Sequence, residues 1–150
     1  MIVKVPQFPW YGDTELELEF PDSWEVIVPR MAGEDAPKMT AQQIRDALHK
    51  PIGTPRLAEL ARGKKEVCIL FDDLTRPTKI DQIIPHVLDE LHEGGIKDEN
   101  IRFIAALGLH GAMKLMDFQK KLGEDIPQKY LVFNHNPYEN CTYLGDTSRG

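Results

Sequence analysis

Cysteine is scarce in this 150-residue chain, with only Cys68 and Cys141. So far apart, they give neither the spacing of a metal site nor a disulfide framework. Cys68, inside an apolar run, reads as a small buried hydrophobe. Long apolar runs are missing as well. None approaches the roughly 18 residues that a membrane span requires. The opening MIVKVPQFPWYG has prolines and a lysine where an export signal needs a long apolar core, so the expected location is cytoplasmic, with no membrane partner. Excess positive charge is also absent. The chain carries 18 Lys and Arg against 24 Asp and Glu, a net charge of −6, which argues against general nucleic-acid binding through the phosphate backbone. There is no repeat and no low-complexity segment. The glycines match neither a P-loop nor a dinucleotide fingerprint, and there is no nucleophile elbow. An ordinary Rossmann-type oxidoreductase or hydrolase is therefore the weakest reading. What remains is an ordinary globular composition, 41% hydrophobic and 28% charged, long enough for one domain with a real core.

The chain is organised around Val67–Pro77, VCILFDDLTRP. Its apolar half reads as a strand buried on both faces. Its polar half falls where an open parallel sheet binds ligands, just past the carboxyl end of a strand. Residues 1–30 predict a small β meander: Ile2–Val5, the alternating Glu15–Phe20 and Trp24–Val28, with turns at Tyr11-Gly12-Asp13 and Pro21-Asp22. After a loop over 31–39, Thr40 with Gln43 predicts a capping box opening a short helix. Pro51–Gly53 break it, and Thr54-Pro55 restart a helix with Leu57, Leu60 and Ala61 inward and Gly63 as its stop. From about Lys79 to Glu93, Ile80, Ile83, Ile84, Val87, Leu88 and Leu91 form one helical stripe. A strand over 101–107, a helix over 112–122 with Leu115, Phe118 and Leu122 inward, a strand over 129–134 and a short strand over 141–144 complete the pattern. Strand, helix, strand with such a crossover predicts a right-handed βαβ unit. The fold class is thus α/β: a Rossmann-like three-layer core over 40–150 with a mainly parallel sheet, preceded by the meander.

Three strands in succession end in polar groups: Asp73, Thr75 and Arg76, then His110, then His135. In a parallel sheet all three loops open on one edge. Arg76 offers a planar fork suited to a carboxylate or phosphate, or else pairs with Asp72 or Asp73 and fixes the loop. His110, between two glycines, is placed to move a proton near neutral pH, or else is a structural or exposed histidine. His135 is a turn residue or a ligand. His49, His86 and His92 lie on helices without partners at metal spacing and read as surface histidines.

Asp73-Leu74-Thr75-Arg76-Pro77 resembles the DxTRP motif near the start of the nickel-dependent lactate racemase family. Pro51–Ala61 resembles the stretch before it there, and Ala106–His110 resembles the family's G-x-H-R turn. Leu122-Gly123, Asn134-His135 and Leu144–Thr147 follow in the family's order, so the resemblance runs from Trp10-Tyr11-Gly12 to the end. It implies the N-terminal domain of a two-domain enzyme that racemises or epimerises a 2-hydroxy acid, using a nickel-pincer nucleotide as hydride carrier. His110 matches one of the two acid/base histidines. Asp73, Thr75 and Arg76 match residues of the cofactor and substrate pocket. The cofactor-bearing lysine, the nickel ligand and the second histidine are expected beyond residue 150, so there is no metal ligand in this chain and the chain alone is expected to be inactive. An exposed apolar face is expected where the missing C-terminal domain docks, or where the chain self-associates. Gly111 stands where the family usually has arginine, Lys114 where it often has threonine, and Asn136 where aspartate commonly follows the histidine. The alternative is a non-catalytic module binding a nucleotide or organic anion at the Asp73/Arg76/His110 edge.

Overall fold

The computed structural model describes residues 1–7, 10, 12 and 14–149. It has an antiparallel hairpin followed by a parallel α/β unit. In the hairpin, β1 (Ile2–Pro6) pairs with β2 (Glu15–Glu19), with Val3 opposite Leu18 and Val5 opposite Leu16. The Gln7 N–H donates to the Thr14 carbonyl at 3.0 Å and closes the ladder. The turn expected at Tyr11-Gly12-Asp13 lies outside the described residues at Tyr11 and Asp13. The third strand expected at Trp24–Val28 does not form. Instead, residues 21–24 close as a turn, with the Trp24 N–H on the Pro21 carbonyl at 3.0 Å. The Trp24 ring then sits against Phe20, centroids 6.1 Å apart. The apolar residues that follow have no ladder partner.

Helix α1 (Ala41–His49) starts with the expected capping box. The Thr40 N–H donates to the Gln43 side-chain oxygen at 2.8 Å, and the Gln43 N–H to the Thr40 hydroxyl at 3.3 Å. Helix α2 (Leu57–Ala61) buries Ala58 and Ala61, whereas Leu60, expected inward, is exposed. Strand β3 (Val67–Phe71) then opens the parallel sheet, whose order is β3-β4-β5. The helix expected from Lys79 is split: a 3-10 turn covers Ile80–Gln82, and α3 runs from Ile84 to Glu93. Pro85 is the cause, because it lacks an N–H and its ring clashes with the carbonyl four residues back, so a helix tolerates it only in the first turn. Next come β4 (Ile101–Ala105), α4 (Leu115–Leu122), α5 (Ile126–Lys129) and β5 (Leu131–Asn134). Pro127 and Lys129 sit in the α5 turn, so the last sheet strand starts later than its apolar pattern implied. The strand expected at 141–144 is exposed, irregular chain.

Alternation along the three strands separates two faces. Ile69, Phe71, Ile101, Phe103 and Ala105 point into the core, where they meet Ile84, Leu88 and Leu91 of α3 and Phe118 and Leu122 of α4. The other face is open: Cys68 and Leu70 on β3, and Leu131 and Phe133 on β5, are exposed. The register places Leu70 beside Ile104 and Ile104 beside Phe133, so these three form one row. The expectation that β3 is buried on both faces, with Cys68 inside, is therefore corrected. No described residue covers that side of the sheet.

Charged groups tie the helices together. Buried Glu90 on α3 accepts from the Arg56 guanidinium and from the Ala58 N–H at 3.2 Å, with His49 Nε2 at 3.1 Å. The Arg56 hydrogen bonds hold the Glu90 carboxyl below the usual glutamate range. His92 Nε2 lies 2.8 Å from Asp98, which also accepts from Tyr130 and Lys129. The helix histidines His49 and His92 lie on the surface as expected, each with a ring nitrogen against a carboxylate.

Gly94 ends α3 at an ordinary helical φ of −72°, so backbone freedom is not its role. A Cβ there would stand 2.6 Å from the Ala58 carbonyl oxygen and 2.6 Å from the Ala61 Cβ. Gly94→Ala is expected to push α2 off α3 and cost about 1–3 kcal/mol. Urea unfolding checks this, and an unchanged midpoint would refute the close-approach argument.

Candidate functional site

Because β3, β4 and β5 are parallel, their carboxyl ends share one edge. The loop over 72–78 leaves β3 there, and the loop over 106–114 leaves β4. Consecutive residues at a strand end point in opposite directions, so Asp72 and Asp73 part. Asp72 reaches Lys121, with Oδ1 3.1 Å from Nζ. Asp73 turns inward and is buried.

Both Asp73 oxygens are occupied. Oδ1 accepts from the Thr75 N–H at 2.8 Å and from the Thr75 hydroxyl at 2.5 Å. Oδ2 accepts from Nδ1 of His110 at 2.5 Å. Burial pushes the Asp73 carboxyl up, but the hydrogen bonds from Thr75 and His110 together pull further, and it ionises below the ordinary aspartate value. An ionised acceptor at Oδ2 requires the proton on Nδ1. Nε2 is therefore left to give or take a proton on a ring that is half exposed.

Arg76 is exposed, and its Nη1 donates to the Thr75 hydroxyl oxygen at 3.3 Å. The carboxylate pairing that the sequence left open is not made. Among the described residues, Asp72 is paired with Lys121 and Asp73 with Thr75 and His110, and no carboxylate lies within ion-pair distance of Arg76. Its fork is available to an external anion. The Thr75 hydroxyl proton is committed to Asp73, so within this chain Thr75 fixes that carboxylate.

The two loops are held from behind by residues the sequence reading passed over. Lys121, fully buried on α4, donates to the carbonyls of Arg76 and Thr78, both at 3.0 Å. The inner stripe of α4 is Phe118, Lys121 and Leu122, not Leu115, which is exposed. The signal was a lysine three residues from one core residue and next to another. Asn134 at the end of β5 grips the backbone of Met113: its Oδ1 accepts from the N–H at 3.0 Å and its Nδ2 donates to the carbonyl at 2.9 Å. That grip ties residue 113 to the end of β5, and residues 111–114 stay outside the helix, which starts at Leu115. The Lys114 N–H donates to Asp117 Oδ2 at 2.8 Å, which caps the first turn.

His110 borders three cavities, two of them large. One of about 340 Å³ is lined by Asp73, Leu74, Thr75, Gly111 and Met113. The other, about 470 Å³, includes Asn134, His135 and Tyr138. His135 thus reaches the same edge on the far side of the 110–112 loop. A small cleft of about 60 Å³ is lined by Arg76, Asp73 and His110 together. A Cβ on Gly111 would meet nothing within 4 Å, so the space beside His110 is open. Among the described residues, no cluster of three His, Cys, Asp or Glu side chains could hold a metal ion. No helix there is long and apolar enough to cross a membrane.

Known proteins share this architecture. A family described as "Lactate racemase N-terminal domain" matches residues 11–150. A lactate racemase of Thermoanaerobacterium thermosaccharolyticum is 33% identical over 144 residues, covering 93% of this chain and 34% of that protein. A lactate racemase of Lactiplantibacillus plantarum is 34% identical over 99 residues, covering 65% of this chain and 23% of that protein. The solved structure of the lactate racemase apoprotein from T. thermosaccharolyticum superimposes with a TM-score of 0.72 at 31% identity, covering 100% of this chain and 34% of that one. The chain therefore spans about a third of the length of the first of these relatives.

The Asp73 carboxyl has its folded pKa depressed, so its contribution to stability is present at neutral pH. It is lost as the pH falls from the unfolded value, 3.8, through the lower folded value. Asp73→Asn is expected to lower stability at pH 7 and to flatten the acid limb of the stability profile. Urea midpoints between pH 7 and pH 2 test this. A parallel downward shift at every pH would show that the Asp73 charge is not what matters.

Proposed function

This chain belongs to the lactate racemase family, as its N-terminal domain, and from that membership we propose that it forms part of an enzyme that racemises or epimerises a 2-hydroxy acid. One observation carries the reading: an oriented Asp73–His110 pair stands next to an arginine fork that no carboxylate of the described residues occupies.

The chemistry assigned to this chain is acid–base and anion binding. Nε2 of His110 takes the hydroxyl proton of the substrate. Asp73 holds the ring in the tautomer that leaves Nε2 free, and it stabilises the imidazolium once the proton has arrived. Thr75 fixes Asp73. Arg76 binds an anion, either the substrate carboxylate or a cofactor phosphate, and its geometry suits both. A nickel-pincer nucleotide, when bound, supplies an acceptor and donor for the α-hydride, which spares the substrate a carbanion beside its carboxylate. The residues present fit the anionic end of such a group through Arg76. The nickel ligands, the lysine that bears the cofactor and the second acid/base histidine are assigned to parts of the polypeptide beyond residue 150. Those parts are proposed to form a C-terminal domain facing the Asp73/His110 edge. The open apolar row of Leu70, Ile104 and Phe133 is a candidate surface for that remaining chain.

The test uses the full-length protein, co-expressed with the machinery that makes the cofactor and assayed on a panel of D- and L-2-hydroxy acids. Racemisation of one acid is expected, with a loss on the order of 10²–10⁴-fold in His110→Ala and unchanged nickel content. Nickel bound without racemisation of any acid would reject this substrate class and direct attention to the space at Gly111. Absence of nickel would favour a module that binds an organic anion without catalysis.

A further inference from the structure

Lys121 is a lysine in the wrong place for its charge. It sits on the core side of α4 between Phe118 and Leu122, and nothing of it reaches solvent. Burying an ammonium is unfavourable unless its donors are all used and its charge is met. Lys121 meets both conditions with one segment. Its Nζ lies 3.0 Å from the Arg76 carbonyl oxygen, 3.0 Å from the Thr78 carbonyl oxygen and 3.1 Å from Asp72 Oδ1. The Trp10 ring lies against the same group, 5.1 Å away. An apolar side chain would pack here without desolvating a charge, but it would strip the Arg76 carbonyl and Asp72 of this donor and leave the Thr78 carbonyl with only the Ile80 N–H, 3.1 Å away.

All three gripped groups belong to the loop that carries the site. Asp72 precedes Asp73, whereas Arg76 and Thr78 follow it. The Arg76 N–H also donates to the Asp73 carbonyl at 3.2 Å, so the gripped residue closes the turn that Asp73 opens. We propose that Lys121 is a positioning residue of this site: it ties both flanks of the 72–78 loop to α4, and so holds Asp73 against His110 and keeps Arg76 on the same edge. Its part in a reaction rests on the racemase reading above, whereas its effect on the Asp73–His110 pair does not.

The experiment separates these two. In the intact protein with ¹⁵N-labelled histidine, the wild-type His110 ring is expected to show the Nδ1–H tautomer when neutral. Lys121→Met keeps the length and removes the donors. The expected result is a mixed His110 tautomer in folded protein, together with a fall in kcat/KM of roughly tenfold to hundredfold at unchanged nickel content. A lower Tm with the tautomer and kcat/KM unchanged would overturn the proposal, because Lys121 would then only support the fold. Should Lys121→Met fail to fold, Asp72→Asn decides, since it loosens one grip at a position 34% exposed. A shifted tautomer there upholds the proposal and an unchanged one overturns it. If the wild-type enzyme racemises nothing, the racemase reading fails, and the tautomer comparison still judges Lys121.

Discussion

The hydrogen bond between Asp73 and His110 joins two loops that the chain builds separately. One leaves β3 and the other leaves β4, and they are tied at their roots by the Ala106 N–H on the Phe71 carbonyl at 2.8 Å. A buried carboxylate on one side and an imidazole N–H on the other supply the further link at 2.5 Å. The link also chooses the protonation pattern. A carboxylate that stays ionised demands a donor, and the donor's other nitrogen is then the free one. Position and chemistry are thus set by a single contact, and the parallel sheet beneath supplies the common edge on which it forms.

Charge is distributed around that contact with little redundancy. Two adjacent aspartates could both have paired with Arg76, which would have left a self-satisfied loop with one negative charge in excess. Instead the pleat turns them apart, Asp72 toward α4 and Asp73 toward the second loop. Each finds a different cation or donor, and the arginine keeps a fork that no carboxylate of the described residues fills. A chain of net charge −6 thereby presents a local cationic group at the sheet edge, where an anionic ligand meets less of the general repulsion.

Much of this was legible in the chain itself. The apolar run ending in DDLTRP locates a strand and the site at its tip, because a buried parallel strand and a polar strand end are both local patterns. The Thr40–Gln43 box was equally plain, since its bonds span only three residues. What escaped was set by tertiary neighbours. Pro85 splits a stripe whose apolar period looks unbroken. Leu115 and Lys121 exchange the sides that their hydropathy suggests, because the core side of α4 faces the Arg76 and Thr78 carbonyls and the Asp72 carboxylate. Asn134 looked like the end of a strand, yet its amide sets where the next helix starts. Cys68 looked buried because a five-residue apolar run cannot tell a sheet covered on one side from a sheet covered on both.

That one-sided covering has a further meaning for the chain as it is made. The row Leu70–Ile104–Phe133 is complete once β5 has paired, and from then until something covers it the sheet carries an adhesive strip. The neighbouring row is interrupted by Arg102, whose guanidinium bonds both oxygens of Glu66 at 3.0 and 3.2 Å. A fixed ion pair on an otherwise apolar face acts as a gatekeeper, because another strand or sheet cannot close over it without desolvating the pair. The same sheet face therefore combines a surface suited to a specific cover with a charged obstacle to indiscriminate self-stacking during synthesis.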